Sequence, residues 1–277
     1  MIRVTSSHPG MTKILDVVER LSDRPYRTNF VLLGEAGTGK EGLGRALAHL
    51  TCPGGPLVRY DVAGFPEEDA LDLLCGTARR AGLAEVADGG TIFIEELSGL
   101  GAKVQAALLR LLKSGRCERR GGMRPELDGD GDDGPHGKRG KRLDVRVIAS
   151  SDRDLAAEVA AGRLRHDLYF RLARVALWLP PLRERIEDIG PATIWTGNRV
   201  LRAAGLPLEL VGAAEIEGLP LAERARAITL LPEAVRRLEQ HPWPGNFREL
   251  EVVLERALLL FRTGDTLGEP EITAALG

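Results

Sequence analysis

The run Gly34-Glu35-Ala36-Gly37-Thr38-Gly39-Lys40-Glu41 directly follows the apolar segment Phe30-Val-Leu-Leu33. It fits the phosphate-binding pattern G-x-x-x-x-G-K, set between an expected strand and an expected helix. The glycines let the backbone curl so that its N–H groups face phosphate oxygens. The following helix adds its positive N-terminal end, and a lysine at position 40 reaches the β- and γ-phosphates. The chemistry offered is nucleoside triphosphate binding. A second feature is Thr91-Ile-Phe-Ile94 followed by Glu95-Glu96. It reads as a buried strand that carries two acids at its C-terminal tip.

These residues need elements to position them. Met11, Ile14, Leu15, Val18 and Leu21 recur at helical spacing. A second helix is expected from Lys40 to Leu50, a short strand over Pro56–Tyr60, and a helix from Glu67 to Leu74. Lys103–Lys113 is amphipathic, with Val104, Ala107, Leu108, Leu111 and Leu112 on one side. Val145–Ala149 reads as another strand. Strands alternating with helices predict an α/β fold with a parallel sheet and crossover helices.

The composition fits that reading. Of 277 residues, 28% are charged, yet the net charge is only −2, so nothing global points to nucleic acid or an acidic partner. Aromatics make up 4%, which suits an aliphatic core. Three cysteines, Cys52, Cys75 and Cys117, lack paired metal spacing and are odd in number. They read as reduced thiols of a cytoplasmic protein. The N-terminus has no signal-peptide pattern, and no apolar run nears the ~18 residues a membrane span needs.

Between Gly121 and Leu143 a Gly/Asp run gives way to a basic run. A flexible insertion, about residues 122–143, is expected there. The Asp-Gly alternation lacks the spacing and closing Glu of a calcium loop, and the basic half reads as solvated linker rather than a nucleic-acid contact. Pro180-Pro181 opens a new segment, mostly helical from Ile186 onward, with a long final helix over about Phe247–Phe261. The expected division is an α/β nucleotide-binding subdomain over 1–185 and a helical lid subdomain over 186–277.

Several segments, in order, now point one way. They are the phosphate loop, Ala87-Asp-Gly-Gly-Thr-Ile-Phe-Ile-Glu-Glu96, Val104-Gln-Ala-Ala-Leu-Leu-Arg-Leu-Leu112 and Asp144-Val-Arg-Val-Ile-Ala149. Then come Arg163-Leu-Arg-His-Asp-Leu-Tyr-Phe-Arg-Leu172, Leu179-Pro-Pro-Leu-Arg-Glu-Arg185 and Trp243-Pro-Gly-Asn-Phe-Arg-Glu-Leu250. Together they closely resemble the central AAA+ ATPase domain of sigma-54-dependent transcriptional activators. The resemblance implies a three-layer α/β/α P-loop fold with a C-terminal helical lid. It also implies ATP and Mg²⁺ as ligands and a ring, usually a hexamer, with ATP between subunits.

Residue by residue, Lys40 matches the family's phosphate-loop lysine, and Glu41 stands where this family also carries Glu. Glu95 and Glu96 match an acidic pair. The first member organises Mg²⁺ through its water shell, and the second polarises the attacking water. The family's first acid is Asp, so Glu95 is one methylene longer. Arg165 and Arg171 match arginines that reach a neighbouring subunit's γ-phosphate. Arg248 matches a lid arginine that senses nucleotide. Pro244 and Gly245 set a turn, and Asn246 reads as the N-cap of the helix that follows.

Four departures stand out. The family's Gly-Ala-Phe-Thr-Gly-Ala loop, which grips sigma-54, is absent. Here Leu74-Cys-Gly-Thr-Ala-Arg-Arg-Ala-Gly82 runs on to Ala87-Asp-Gly-Gly90, with no room for it. Remodelling of sigma-54 RNA polymerase by the usual route is therefore not expected. The family's switch asparagine falls at Asp61 and its sensor asparagine at Asp152. An amide donates a hydrogen bond, whereas a carboxylate only accepts, and two added charges would repel a γ-phosphate or raise the pKa of Glu96. Lastly, the 121–143 segment enlarges a loop that lies near the ring pore in the family. Nucleotide binding is expected to persist, with hydrolysis slow or lost.

Other readings remain open: a catalytically weak subunit in a mixed ring with a paralogue, or a remodeller of another protein. No helix-turn-helix pattern follows the lid, so autonomous DNA reading is not expected.

Overall fold

The computed structural model describes residues 6–22, 28–119 and 142–277. The expected insertion at 122–143 lies almost wholly outside the described residues. The chain divides into two compact units. The first contains Ile14–Gly34 and Lys40–Leu179. The second contains Thr5–Lys13, Glu35–Gly39 and Pro180–Gly277.

Helix α1 (Pro9–Ser22) buries Met11, Ile14 and Val18, the spacing that a 3.6-residue period requires. The first unit then runs through β1 (Phe30–Leu33), α2 (Lys40–Thr51), β2 (Leu57–Tyr60) and α3 (Glu67–Cys75). A two-residue hairpin follows, β3 (Gly76–Thr77) with β4 (Arg80–Ala81), then α4 (Leu83–Val86) and β5 (Thr91–Ile94). The unit ends with α5 (Ala102–Ser114), β6 (Arg146–Ser151), α6 (Leu155–Ala160), α7 (His166–Leu172) and β7 (Val175–Trp178).

Five of these strands form one parallel sheet in the order β2-β5-β6-β1-β7. Strands β5 and β6 are buried at every position, Arg146, Ser150 and Ser151 of β6 included, as strands covered on both faces are. Val31, Ile92, Ile94, Val147 and Ala149 share a core with Leu74, Leu108 and Leu168. Removing one such leucine side chain typically costs about 2–5 kcal/mol. The register pairs Leu33 with Ser151 and Tyr60 with Ile94. Strands β1 and β6 therefore end in step, as do β2 and β5, and Gly34, Asp61, Glu95 and Asp152 each follow a strand's carboxyl end. Ligands of open parallel sheets bind at that edge.

The cysteine reading needs correction. Cys75 and Cys117, 42 residues apart, are joined as a disulfide with a Cα–Cα distance of 5.2 Å, and only Cys52 is a free thiol. Arg119, two residues on, makes a bidentate pair with Glu85 at 2.7 and 2.5 Å. The hairpin itself turns so tightly that a Cβ at Gly76 would come within 2.5 Å of the Gly82 nitrogen.

The second unit contains α8 (Ile189–Ala203), β8 (Glu209–Gly212), α9 (Leu221–Arg224), β9 (Ala227–Leu230) and α10 (Pro232–Glu239). After these come α11 (Asn246–Arg256), which runs on through a π-helical turn Ala257–Phe261, then β10 (Thr266–Leu267) and α12 (Glu269–Leu276). The mostly helical character that the sequence predicts is present, and three short parallel strands in the order β10-β9-β8 also run through the unit. The helix ending near Phe261 is also not the last. Runs of two to four apolar residues carry too little periodicity to separate strand from loop. Trp243 is fully buried in this core, beside Leu238, Leu250 and Leu254, and its indole N–H donates to the Leu238 carbonyl at 2.8 Å.

Candidate functional site

The phosphate-loop pattern has the backbone its glycines predict. Gly34, Gly37 and Gly39 all have positive φ, at 145°, 77° and 98°. Gly37 is doubly constrained, since a Cβ there would stand 2.3 Å from the Gly245 carbonyl oxygen. Thr38 donates its hydroxyl to the Glu35 carbonyl at 2.9 Å and braces the turn. Lys40 opens α2, and its ammonium bends back to the Gly34 carbonyl at 2.5 Å. Glu41 in the first turn pairs with Arg45 at 2.7 Å.

Within the second unit, Glu35–Gly39 is held mainly through its main chain. The Phe247 N–H donates to the Gly37 carbonyl at 2.9 Å, and Arg185 donates to the Thr38 carbonyl at 2.8 Å. The Asn246 amide donates to the Ala36 carbonyl at 3.0 Å and to the Glu35 carboxylate at 3.2 Å. Arg183 forks onto Glu35 at 2.8 and 2.5 Å. Arg185 lies over the Phe247 ring, 4.7 Å from its centroid. Burial pushes its guanidinium pKa down, partly offset by the Asp188 charge. Asn246 does not cap α11. It sits inside that helix's first turn at φ 52°, fully buried, and its carbonyl oxygen accepts from the Leu182 N–H at 2.7 Å. Arg248 is exposed in the same turn. Sequence reasoning missed Arg183 and Arg185 as loop partners, although both lie in the quoted Leu179–Arg185 segment.

The acids gather at the sheet edge of the first unit. Glu96 has φ 52°, a left-handed conformation uncommon for a non-glycine residue and frequent at functional sites. Its carboxylate accepts from the Ser98 hydroxyl at 2.5 Å, the Ser151 hydroxyl at 2.7 Å and the Asp152 N–H at 3.0 Å. Burial works against its charge, but these hydrogen bonds win and hold Glu96 below the usual carboxylate range. Asp152 moves the other way. Partial burial and the neighbouring Glu96 raise it, with Lys40 and Arg153 opposing.

Glu95 and Asp61 meet at a residue that the sequence did not single out. Arg59 on β2 donates to Glu95 at 2.9 Å through Nη2, and its Nε lies against the other Glu95 oxygen. The same guanidinium is 3.4 Å from Asp61 and 3.9 Å from Glu41. Alternation along β2 places Arg59 and Asp61 on one face, and the register sets Glu95 beside them. That register is the signal that could have found Arg59.

Among the described residues no His/Cys/Asp/Glu group has a metal-holding arrangement. The Mg²⁺ implied at Glu95 does not fit the residues present, because the Arg59 guanidinium is already paired with that carboxylate. Arg165 and Arg171 lie at opposite ends of α7. Arg165 pairs with Asp167 at 3.1 and 3.0 Å, and Arg171 donates to the Leu112 carbonyl at 3.1 Å.

Comparison with known proteins agrees with this architecture. Residues 4–128 and 134–178 match the sigma-54 interaction domain family, and residues 221–276 match the AAA+ ATPase lid domain. The chain is 34% identical over 272 residues to the Nif-specific regulatory protein of Azotobacter vinelandii, covering 94% of this chain and 45% of that protein. It is 35% identical over 267 residues to the response regulator protein FleR of Pseudomonas aeruginosa, covering 92% of this chain and 49% of that one. Among solved structures, NtrX from Brucella abortus in complex with ATP superposes with a TM-score of 0.76 at 26% identity. That match covers 98% of this chain and 56% of NtrX. The chain thus spans about half the length of the curated relatives it matches. No helix among the described residues is long and apolar enough to cross a membrane.

Proposed function

The chain belongs to the sigma-54 interaction domain family of AAA+ proteins, and from that premise we propose that it is the ATP-binding domain of a bacterial transcription regulator. The observation that carries this is the loop at 34–41, with three positive-φ glycines and a Lys40 ammonium turned back to the Gly34 carbonyl. Its N–H groups and the start of α2 hold the phosphates, and Lys40 leaves the Gly34 carbonyl to pair with them. Glu35, Ala36 and Thr38 shape the loop, and Arg248 reads the nucleotide from the lid.

Glu96 takes the proton of the attacking water, and Arg165 and Arg171, from a neighbouring copy in a ring, stabilise charge on the transferred phosphoryl group. Turnover is slow in this reading. Three hydrogen bonds occupy the Glu96 carboxylate, which makes it a weak base. Asp152 adds like charge beside it, and Asp61 is drawn to Arg59. The two-residue hairpin at Gly76–Ala81 stands where the family's sigma-54-gripping loop would be inserted, so the domain acts on transcription without that grip. A second reading, a slow subunit that serves a mixed ring with an active paralogue, is favoured by the same Glu96 contacts. Arg165 and Arg171 remain useful in it.

The test is steady-state ATPase activity across a protein concentration series, beside Glu96→Gln. Activity that rises cooperatively and vanishes in the variant supports a working self-assembled ring. No activity alone, but stimulation of a paralogue that is lost in Arg171→Ala, supports the mixed ring. No nucleotide binding at all rejects both.

A further inference from the structure

The Arg59 cluster includes Glu41, the residue directly after Lys40. Three carboxylates, from Glu41, Asp61 and Glu95, surround one guanidinium at the end of β2. The guanidinium donates one hydrogen bond to Glu95 through Nη2 and holds its Nε against the other carboxylate oxygen as an ion pair. A magnesium ion at the same carboxylate asks for something different. It needs near-octahedral oxygen ligands at about 2.0–2.1 Å, several of them waters that the carboxylate must orient. A carboxylate with both oxygens turned to a guanidinium does not orient those waters.

The Arg59 side chain is 53% exposed, against 25% for Glu95, so the guanidinium is the more solvent-facing member of the pair.

We propose that Arg59 is the resident cation of this edge: it withholds Glu95 from a divalent metal, so nucleotide binding does not depend on Mg²⁺. The nucleotide half of this statement rests on the function proposed above, whereas the metal half does not.

Two measurements on the full chain, Arg59→Ala and Arg59→Gln separate the halves, with thermal melting to verify that each variant is folded. The first is ATP affinity by calorimetry in Mg²⁺ and in EDTA. The native chain should change by less than about threefold, and both variants should lose about tenfold or more on metal removal. The second is Mn²⁺ titration without nucleotide, read by electron paramagnetic resonance. The native chain should show no site at the sheet edge, and the variants should gain one that disappears when Glu95→Gln is added. A native ATP affinity that falls tenfold in EDTA overturns the proposal, as does a native Mn²⁺ site removed by Glu95→Gln or the failure of both variants to gain one. If ATP binds under neither condition, the proposed function fails and the Mn²⁺ titration alone decides the role of Arg59.

Discussion

The loop at 35–39 and the acid edge at 95–96 serve the same expected chemistry but are built differently. The loop is held largely through main-chain atoms: the carbonyls of Ala36, Gly37 and Thr38 each accept a hydrogen bond within the second unit. Its geometry depends on glycine backbone freedom, so its shape follows from the motif itself. The acid edge is held through side chains. There Glu95 is engaged by Arg59, and Glu96 by two serines and one N–H. A site built from the backbone keeps its shape while surface residues differ. A site built from charges re-pairs whenever a neighbouring charge changes, and Arg59, Asp61 and Asp152 are such neighbours.

If that contrast holds, the largest effect belongs to the loop backbone. Gly37→Val forces a side chain toward the Gly245 carbonyl at a φ that valine rarely adopts. ATP affinity should fall by a hundredfold or more, about 2.7 kcal/mol, measured by calorimetry. Asn246→Ala should come next, because it strips partners from the Leu182 N–H and the Ala36 carbonyl. The expected loss is about 1–3 kcal/mol in urea unfolding, with ATP affinity weakened alongside.

Smaller effects belong to the acid edge. Replacing Ser98 and Ser151 by Ala removes two of the bonds that hold Glu96 below the usual carboxylate range, so burial raises its pKa. A lowered carboxylate pKa stabilises the fold above the unfolded value and loses that contribution as pH falls through the folded value. The stability gap between native and double variant should thus be open at neutral pH and close in acid. Asp152→Asn should have the smallest effect and the opposite sign. A raised carboxylate pKa disfavours the fold once the group is charged, so the variant should melt slightly higher at pH 7. That gain should vanish well below pH 4, where the native carboxyl is neutral. An Asp152→Asn effect as large as that of Gly37→Val would break the comparison.

The same contrast marks what was legible in the sequence. The loop, β1, β5 and β6 could be read because glycine spacing and unbroken apolar runs have few structural meanings. The lid strands could not, since Glu209–Gly212 and Thr266–Leu267 are too short to show a period. Nor could the Cys75–Cys117 pair, because three cysteines without metal spacing do not declare a partner 42 residues away. The place of Asn246 before a helical run predicts a cap, whereas its side chain turns to Leu182 and Ala36. Arg59 stayed hidden because one arginine among 38 basic residues means nothing until strand register puts Glu95 and Asp61 beside it.

The most direct measurement is an equilibrium ATP titration of the native chain beside Lys40→Ala. Lys40 is the one loop side chain whose ammonium now rests on the loop's own Gly34 carbonyl. Saturable binding by the native chain, weakened at least tenfold in the variant, about 1.4 kcal/mol or more, is the predicted result. No binding by the native chain, or equal binding by both, would contradict a nucleotide site on this loop.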